Sequence, residues 1–390
     1  MNLRLAGLPV ALVQMALVLT AAPAWGTTRP QLSDAEAARH TEAAYLGSWQ
    51  PLSAAELANL AAQPPDQWVR PGDSLQAALD RAPAAGQGPA GRRWLIRLAP
   101  GEYRGPLCLL NKAPLALIGV PGQPSAVRLV DGRYNALPLP PGQAAHPCLP
   151  GSAGVATHGT AGSSSVIVDT QDLVLAHLSI ANDALDGVRA GQGYPAGAGE
   201  AGGAQAVALT LAGDRLLLHD VQLWGHQDTL YARRGSTPGP ARQLLRDSLV
   251  AGDVDYVFGD ATLVISHSTL LARAGRRAPG QGGITLAPST AAAQGQGLLV
   301  THSRWQAEPG VAPASVALGR AWDAGVKPGA WQAGSSANPS PNGLAVVRDC
   351  ELGAHLKPWT ASTARRPFAS SGEAANRLFE YRNTGPGATP

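Results

Sequence analysis

The chain has 390 residues, room for one large domain or two ordinary ones, with charged residues at 15%, 46 glycines, 33 prolines and three cysteines. Few charges and many turn formers point to an all-β protein with few helices. The net charge of +3 comes without a basic stripe interleaved with aromatics, so there is no nucleic-acid signature, and the lack of a Cys-x-x-Cys pair speaks against zinc or redox roles.

The first element is an apolar run over residues 10–22, behind Arg4, followed by Ala22-Pro23-Ala24 and Ala24-Trp25-Gly26 with small residues at cleavage spacing. It reads as a secretory signal peptide over 1–26, too short to span a bilayer. The first cysteine, Cys108, is far from any processing site, so neither a lipid anchor nor stable membrane insertion is expected. The mature chain should begin near Trp25 or Thr27 and work in the periplasm or outside the cell. Cys108, Cys148 and Cys350 then allow one internal disulfide, and the sequence does not choose the pair.

Residues 27–67 form an Ala-rich, polar leader with a short helix over 33–44 and a Pro-containing connection. From 68 to 390 the chain reads as one domain. It opens on Asp73, which could cap a helix in which Leu75, Ala78 and Leu79 share a face. Such a helix ahead of a run of strands would cap one end of a solenoid.

A short phrase then recurs. Leu173-Val-Leu-Ala-His177-Leu-Ser-Ile180 is matched by Leu216-Leu-Leu-His-Asp220-Val-Gln-Leu223, Gln243-Leu-Leu-Arg-Asp247-Ser-Leu-Val250, Leu263-Val-Ile-Ser-His267-Ser-Thr-Leu270, Leu298-Leu-Val-Thr-His302-Ser-Arg-Trp305 and Ala345-Val-Val-Arg-Asp349-Cys-Glu-Leu352. The anchors at 177, 220, 247, 267, 302 and 349 are spaced as one or two coils of roughly 20 residues with insertions. A unit this short cannot bury its own apolar face, so stacked copies must share a core. The phrases are short, β-branched or Leu-rich and bounded by turn residues, which makes them strands. Leucine-rich repeats would need a tighter period, and a β-sandwich a stricter alternation than these apolar triplets show. The pattern therefore points to a parallel β-helix. In it His177, His267 and His302 are better read as corner residues of successive coils than as a metal cluster.

Four stretches carry chemistry: Gln205-Ala-Val-Ala-Leu209, Gly225-His-Gln227-Asp228-Thr-Leu-Tyr231, Gly252-Asp253-Val-Asp255-Tyr256-Val-Phe258-Gly259 and Leu318-Gly319-Arg320-Ala321-Trp322. There is no Gly-x-Ser-x-Gly elbow and no His-Glu-x-x-His helix, so serine and zinc hydrolase routes lack support. Two aspartates among apolar and aromatic residues remain as candidates. In order and wording the four stretches resemble the signature blocks of the pectin methylesterases. Gly101-Glu-Tyr103 and Glu380-Tyr-Arg-Asn383-Thr-Gly-Pro-Gly387 extend the resemblance over roughly 68–388.

The resemblance implies a right-handed, single-stranded parallel β-helix and the hydrolysis of methyl esters on polygalacturonate. It implies Asp255 as the nucleophile, Asp228 as the general acid and then base, Gln205 and Gln227 as donors to the oxyanion, and Arg320 as the partner of the nucleophilic carboxylate. Trp322 would be a platform for a sugar ring, with Tyr231, Tyr256 and Phe258 lining the same groove. No cofactor or metal is implied, and the expected state is a monomer acting on methyl-esterified pectin. His226 has no assigned role, and the basic pair Arg276-Arg277 reads as a solvated loop.

Two departures bear on specificity. Arg104-Gly105-Pro106 follows Tyr103 where a glutamate is often found. The 27 residues from Asp228 to Asp255, with a surface loop over 235–240, and the long segment 131–162 resemble a bacterial branch. Rival readings are an envelope esterase or thioesterase using the same aspartates, a non-catalytic solenoid that binds acidic polysaccharide, and a pectate lyase. The last would need a calcium-binding carboxylate cluster, which is not evident.

Overall fold

The computed structural model describes residues 29–236, 238–332, 335, 342–371 and 375–388. The signal-peptide segment and the expected mature start lie outside them. Every strand-to-strand pairing between the named strands is parallel, and the strands form one 16-stranded and one 8-stranded sheet. The chain is a right-handed parallel β-helix.

The long strands Leu173–Asn182 and Leu216–Trp224 belong to the larger sheet and bend midway, so that this sheet makes two faces of a three-faced prism. The bend explains the repeated His/Asp position. His177, Asp220, Asp247, His267, His302 and Asp349 have φ of 57, 51, 52, 50, 48 and 50°. Left-handed backbone is costly for most side chains and tolerated best by Asn, Asp and His, so one corner selects these residues coil after coil. The phrases stack in the register the sequence suggests: Val174 pairs with Leu217, Leu217 with Leu244, Leu244 with Val264, Val264 with Leu299 and Leu299 with Val346.

The apolar triplets are buried on both faces of the sheet. Leu175, Leu218, Leu245, Ile265, Val300 and Val347 point into the prism. Val174, Leu217, Leu244, Val264, Leu299 and Val346 point outward and are covered by Leu32, Tyr45, Leu46, Leu57 and Leu60 of the N-terminal segment. Each aliphatic side chain so covered contributes about 1.5–3 kcal/mol. This segment holds helices Asp34–Ala37, Glu42–Leu46 and Ala54–Ala62. The single helix expected over 33–44 is thus broken in two, because Thr41 caps a new start, accepting from the Ala44 amide. The third helix falls where a connection was expected, opened by the Ser53 and Glu56 capping box. Arg29 pairs with buried Glu380 at 2.7 Å, tying the start of the described chain to its last strand, Arg377–Tyr381.

Helix Leu75–Arg81 packs Leu75, Ala78 and Leu79 on the N-terminal end of the core. Its cap is Ser74, which accepts from the Ala77 amide, and not Asp73, whose carboxylate accepts from the Arg70 amide in the preceding turn. Among the described residues no helix is long and apolar enough to cross a membrane.

Cys108 is bonded to Cys148, which pins the 131–162 insertion to strand Leu107–Leu110; Cys350 is free and buried, and burial pushes its thiol up to about 12. Replacing both bridged residues, Cys108→Ser with Cys148→Ser, should lower stability by about 3–4 kcal/mol, since the cross-link closes a loop spanning 40 residues. Denaturant unfolding of the two forms measures this, and equal midpoints and slopes would contradict it.

Candidate active site

The site is built where the second face of the prism turns into the third. Strand Leu216–Trp224 ends, residues 225–229 turn, and Leu230–Arg233 begins the 8-stranded sheet. One coil on, Leu249–Gly252 gives way to Val254–Gly259 in the same manner. The two turns stack: the Asp253 amide donates to the His226 carbonyl at 3.0 Å and the Asp228 amide to the Val254 carbonyl at 3.0 Å. Gln227 bridges Val254 in parallel register, so Asp228 lies one position on, beside Asp255. Their backbones are therefore about one inter-strand spacing, roughly 4.8 Å, apart. Gly252 allows this close approach. A Cβ there would stand 2.7 Å from the His226 carbonyl oxygen and 2.2 Å from the Tyr256 Cβ.

Both aspartates have left-handed backbone, φ 67° at Asp228 and 47° at Asp255, and both are buried. Arg320 follows strand Val316–Gly319, further along the same sheet. Its guanidinium grips Asp255 with both prongs, Nε to Oδ1 at 3.0 Å and Nη2 to Oδ2 at 2.5 Å. A planar fork suits a carboxylate in a way that a lysine ammonium does not. Asp228 has no such partner. Burial, and then the nearby Asp255 carboxylate, push its carboxyl well above the usual range, and the Arg320 charge only partly offsets this. Two like groups in one site thus differ in surroundings: Asp255 is gripped by an arginine fork, while Asp228 has its carboxyl pushed upward.

Gln205 and Gln227 come from adjacent coils, linked by the Ala206 amide donating to the Gln227 carbonyl at 3.1 Å. The Gln205 backbone carbonyl accepts from the Asn135 amide at 2.8 Å, so the 131–162 insertion braces it, while its side-chain oxygen meets no protein donor. Tyr231 and Phe258 stack at 4.4 Å between ring centroids, and Trp322 meets them edge-on at 6.0 and 5.6 Å. These three rings form one patch on the outer side of the sheet, together with Val207 and Ala287. The loop bearing Trp322 is held by Asp323, whose carboxylate forms a buried ion pair with Arg366 at 2.9 Å.

Tyr256 does not join that patch. A register shift between Val254 and Val257 turns it inward, and it is fully buried in the solenoid core, where burial pushes its phenol upward. The groove reading for this residue is corrected accordingly. Arg276 is likewise not part of a solvated loop: it is 2% exposed and holds Asp253 with both prongs at 2.5 Å. Sequence reasoning missed this pair, as well as the part taken by His226 and Asp186, which bond to one another at 3.0 Å. The only signal was an extra carboxylate and an extra histidine, each two residues before a candidate aspartate.

A pectinesterase family model matches residues 157–325 of the chain. A pectinesterase of Ralstonia solanacearum is 33% identical over 93% of this chain and 92% of its own, and pectinesterase B of Dickeya dadantii is 32% identical over 79% and 75%. Among solved structures, the rice weevil pectin methylesterase superposes with a TM-score of 0.75 at 25% identity, covering 94% of this chain and 99% of its own. Pectin methylesterase PemA from Erwinia chrysanthemi gives 0.64 at 25% identity, with 84% and 92% covered.

Proposed function

The chain belongs to the pectinesterase family and is a carboxylic ester hydrolase of that kind, and we propose that it demethylates the galacturonate units of pectin with Asp255 as nucleophile and Asp228 as acid and base. The observation that carries this reading is the contrast between the two carboxyls: one gripped by an arginine fork, the other a coil away with its carboxyl pushed well above the usual range by burial and by its neighbour.

A carboxylate oxygen of Asp255 attacks the ester carbonyl carbon, and the electron pair of the C=O bond moves to oxygen. The Gln205 and Gln227 amides donate to that oxyanion. As the carbonyl re-forms, the bond to the methoxy oxygen breaks, the Asp228 proton goes to that oxygen, and methanol leaves. The product is an anhydride between Asp255 and the galacturonate carboxyl. Asp228, now a carboxylate, takes a proton from water as the water attacks the substrate carbonyl of the anhydride. The anhydride bond to Asp255 breaks, the Asp255 carboxylate and the protonated Asp228 are restored, and the product leaves as galacturonic acid, which gives its proton to solvent. Arg320, bonded to both carboxylate oxygens, keeps Asp255 aimed. The patch of Tyr231, Phe258 and Trp322 offers apolar faces to sugar rings beside the reacting carboxyl. A polymeric substrate outside the cytoplasm agrees with an exported, monomeric enzyme needing no cofactor.

Methanol release from highly methylated pectin tests the reading. Release at a rate proportional to enzyme and unchanged by chelator is expected. No release from pectin, with hydrolysis of a small thioester instead, would move the assignment to the thioesterase alternative.

A further inference from the structure

Next to the turns bearing the two carboxyls lies a network of polar and charged side chains that the reaction as written does not use. His226 bridges two carboxylates, Nδ1 to Asp253 Oδ2 and Nε2 to Asp186 Oδ1, each at 3.0 Å. Asp253 is held from its other side by Arg276, and Arg276 in turn meets the Tyr194 hydroxyl at 3.0 Å. Arg273 closes the outer end, donating to Asp186 at 3.2 Å and to the Gly225 carbonyl at 2.9 Å. His226, Asp253 and Arg276 are buried, while Asp186, its side chain 44% exposed, reaches solvent and Arg273 and Tyr194 are partly exposed. Burial alone would raise the Asp253 carboxyl, but hydrogen bonds and charge from His226 and Arg276 outweigh it and hold the group down to about 2.

The placement has a consequence for the chemistry. His226 is two residues before Asp228 and Asp253 two before Asp255, so the 3.0 Å contact between them joins the turn bearing the acid to the turn bearing the nucleophile. Side-chain pairs join coils elsewhere too, as His177 does with Asp220 and Arg242 with Asp214, but this one ties the two turns that carry the candidate carboxyls. Here the Asp253 carboxylate is held at the same time in a buried ion pair with Arg276, so the contact that joins the two turns has a fixed anchor.

We infer that Asp253, His226 and Arg276 are positioning residues for the reaction: their buried clamp sets the offset between Asp228 and Asp255 and the charge that Asp228 faces. This rests on the two-aspartate reading of the site. Asp228 faces four charged groups, Asp255 and Asp253 raising its carboxyl, Arg320 and Arg276 lowering it. Neutralising Asp253 therefore lets Asp228 lose its proton at lower pH, and the basic limb of the rate profile should move down.

The test compares the parent with Asp253→Asn, with the double variant Asp253→Asn and Arg276→Gln, and with Asp255→Ala, all assayed for methanol release from methylated pectin. For Asp253→Asn, kcat per folded molecule should fall about 10- to 100-fold with KM within about threefold, as expected for a misplaced acid. Its basic limb should shift to lower pH. The double variant leaves no buried charge unpaired and carries the test if the single one does not fold. Its kcat should stay low, while its basic limb returns most of the way to the parental position. Parental kcat in a folded variant, a loss carried by KM alone, or a lower kcat with an unmoved limb in Asp253→Asn would each overturn the clamp. If Asp255→Ala keeps its activity, the two-aspartate reading itself falls, whatever the Asp253 variants do.

Discussion

Asp255→Ala is expected to abolish turnover of methylated pectin, by at least about 10⁴-fold, the scale seen when a covalent nucleophile is removed. The Arg320 fork and the Asp228 acid would remain, but neither can form a bond to the ester carbon. Rapid-quench measurements should find no burst of methanol and no mass-shifted acyl-enzyme, both of which the parent should give if anhydride breakdown is slow enough to accumulate it. Alanine at φ 47° is strained by about 1–2 kcal/mol, so Asp255→Asn, which tolerates that backbone, should be made alongside. Equal inactivity of the two, with unfolding midpoints close to the parent for Asp255→Asn, ties the loss to chemistry. A folded Asp255→Asn that releases methanol at near-parental rates would mean the nucleophile lies elsewhere.

Asp228→Asn should lose on the order of 10² to 10⁴ in kcat, the usual range for a general acid and base, and should gain stability at neutral pH. The sign follows from the raised carboxyl. In the unfolded chain Asp228 titrates near the ordinary value of about 3.9, whereas burial and the Asp255 charge hold it well above that in the fold. The stability linked to its proton is fully present below the unfolded value and is lost as pH rises through the folded one. An asparagine carries no such charge, so its advantage should grow with pH across the window between the two values and then level off. Thermal unfolding of parent and variant as a function of pH reads this out. A variant less stable than the parent at neutral pH would show that Asp228 is ionised there and cannot serve as the acid.

The outer half of the site owes its form to covering and bracing contacts whose partners are remote in the chain. Asn135 braces Gln205 from the 131–162 insertion, which the Cys108–Cys148 bond anchors. Arg366 holds the Asp323 loop next to Trp322. These contacts hold Gln205 and Trp322, which lie outside the strands, beside Tyr231 and Phe258, which lie within them.

What the sequence determined by itself was the coil. The apolar triplet and the left-handed corner are local properties, imposed on every copy of the phrase, so the six anchors and their register were legible from the recurring triplet with its His or Asp. The signature blocks were legible through their resemblance to a known family, and at Gly252 and Asp255 the structure shows a local steric demand that fits the residues found there. Tertiary structure decided what the coils bring together. Arg320 lies 65 residues from Asp255, and Arg276 lies 82 from Tyr194. No periodic signal crosses insertions of unequal length to predict such meetings. Alternation likewise says that Tyr256 and Phe258 differ in side from Asp255 and Val257 only in an ideal strand; the shifted register between Val254 and Val257 sends Tyr256 inward and Phe258 out. The outward apolar row of the phrases found its cover in helices from the far N-terminal segment, because a sheet buried on both faces needs a second layer that its own repeats do not encode.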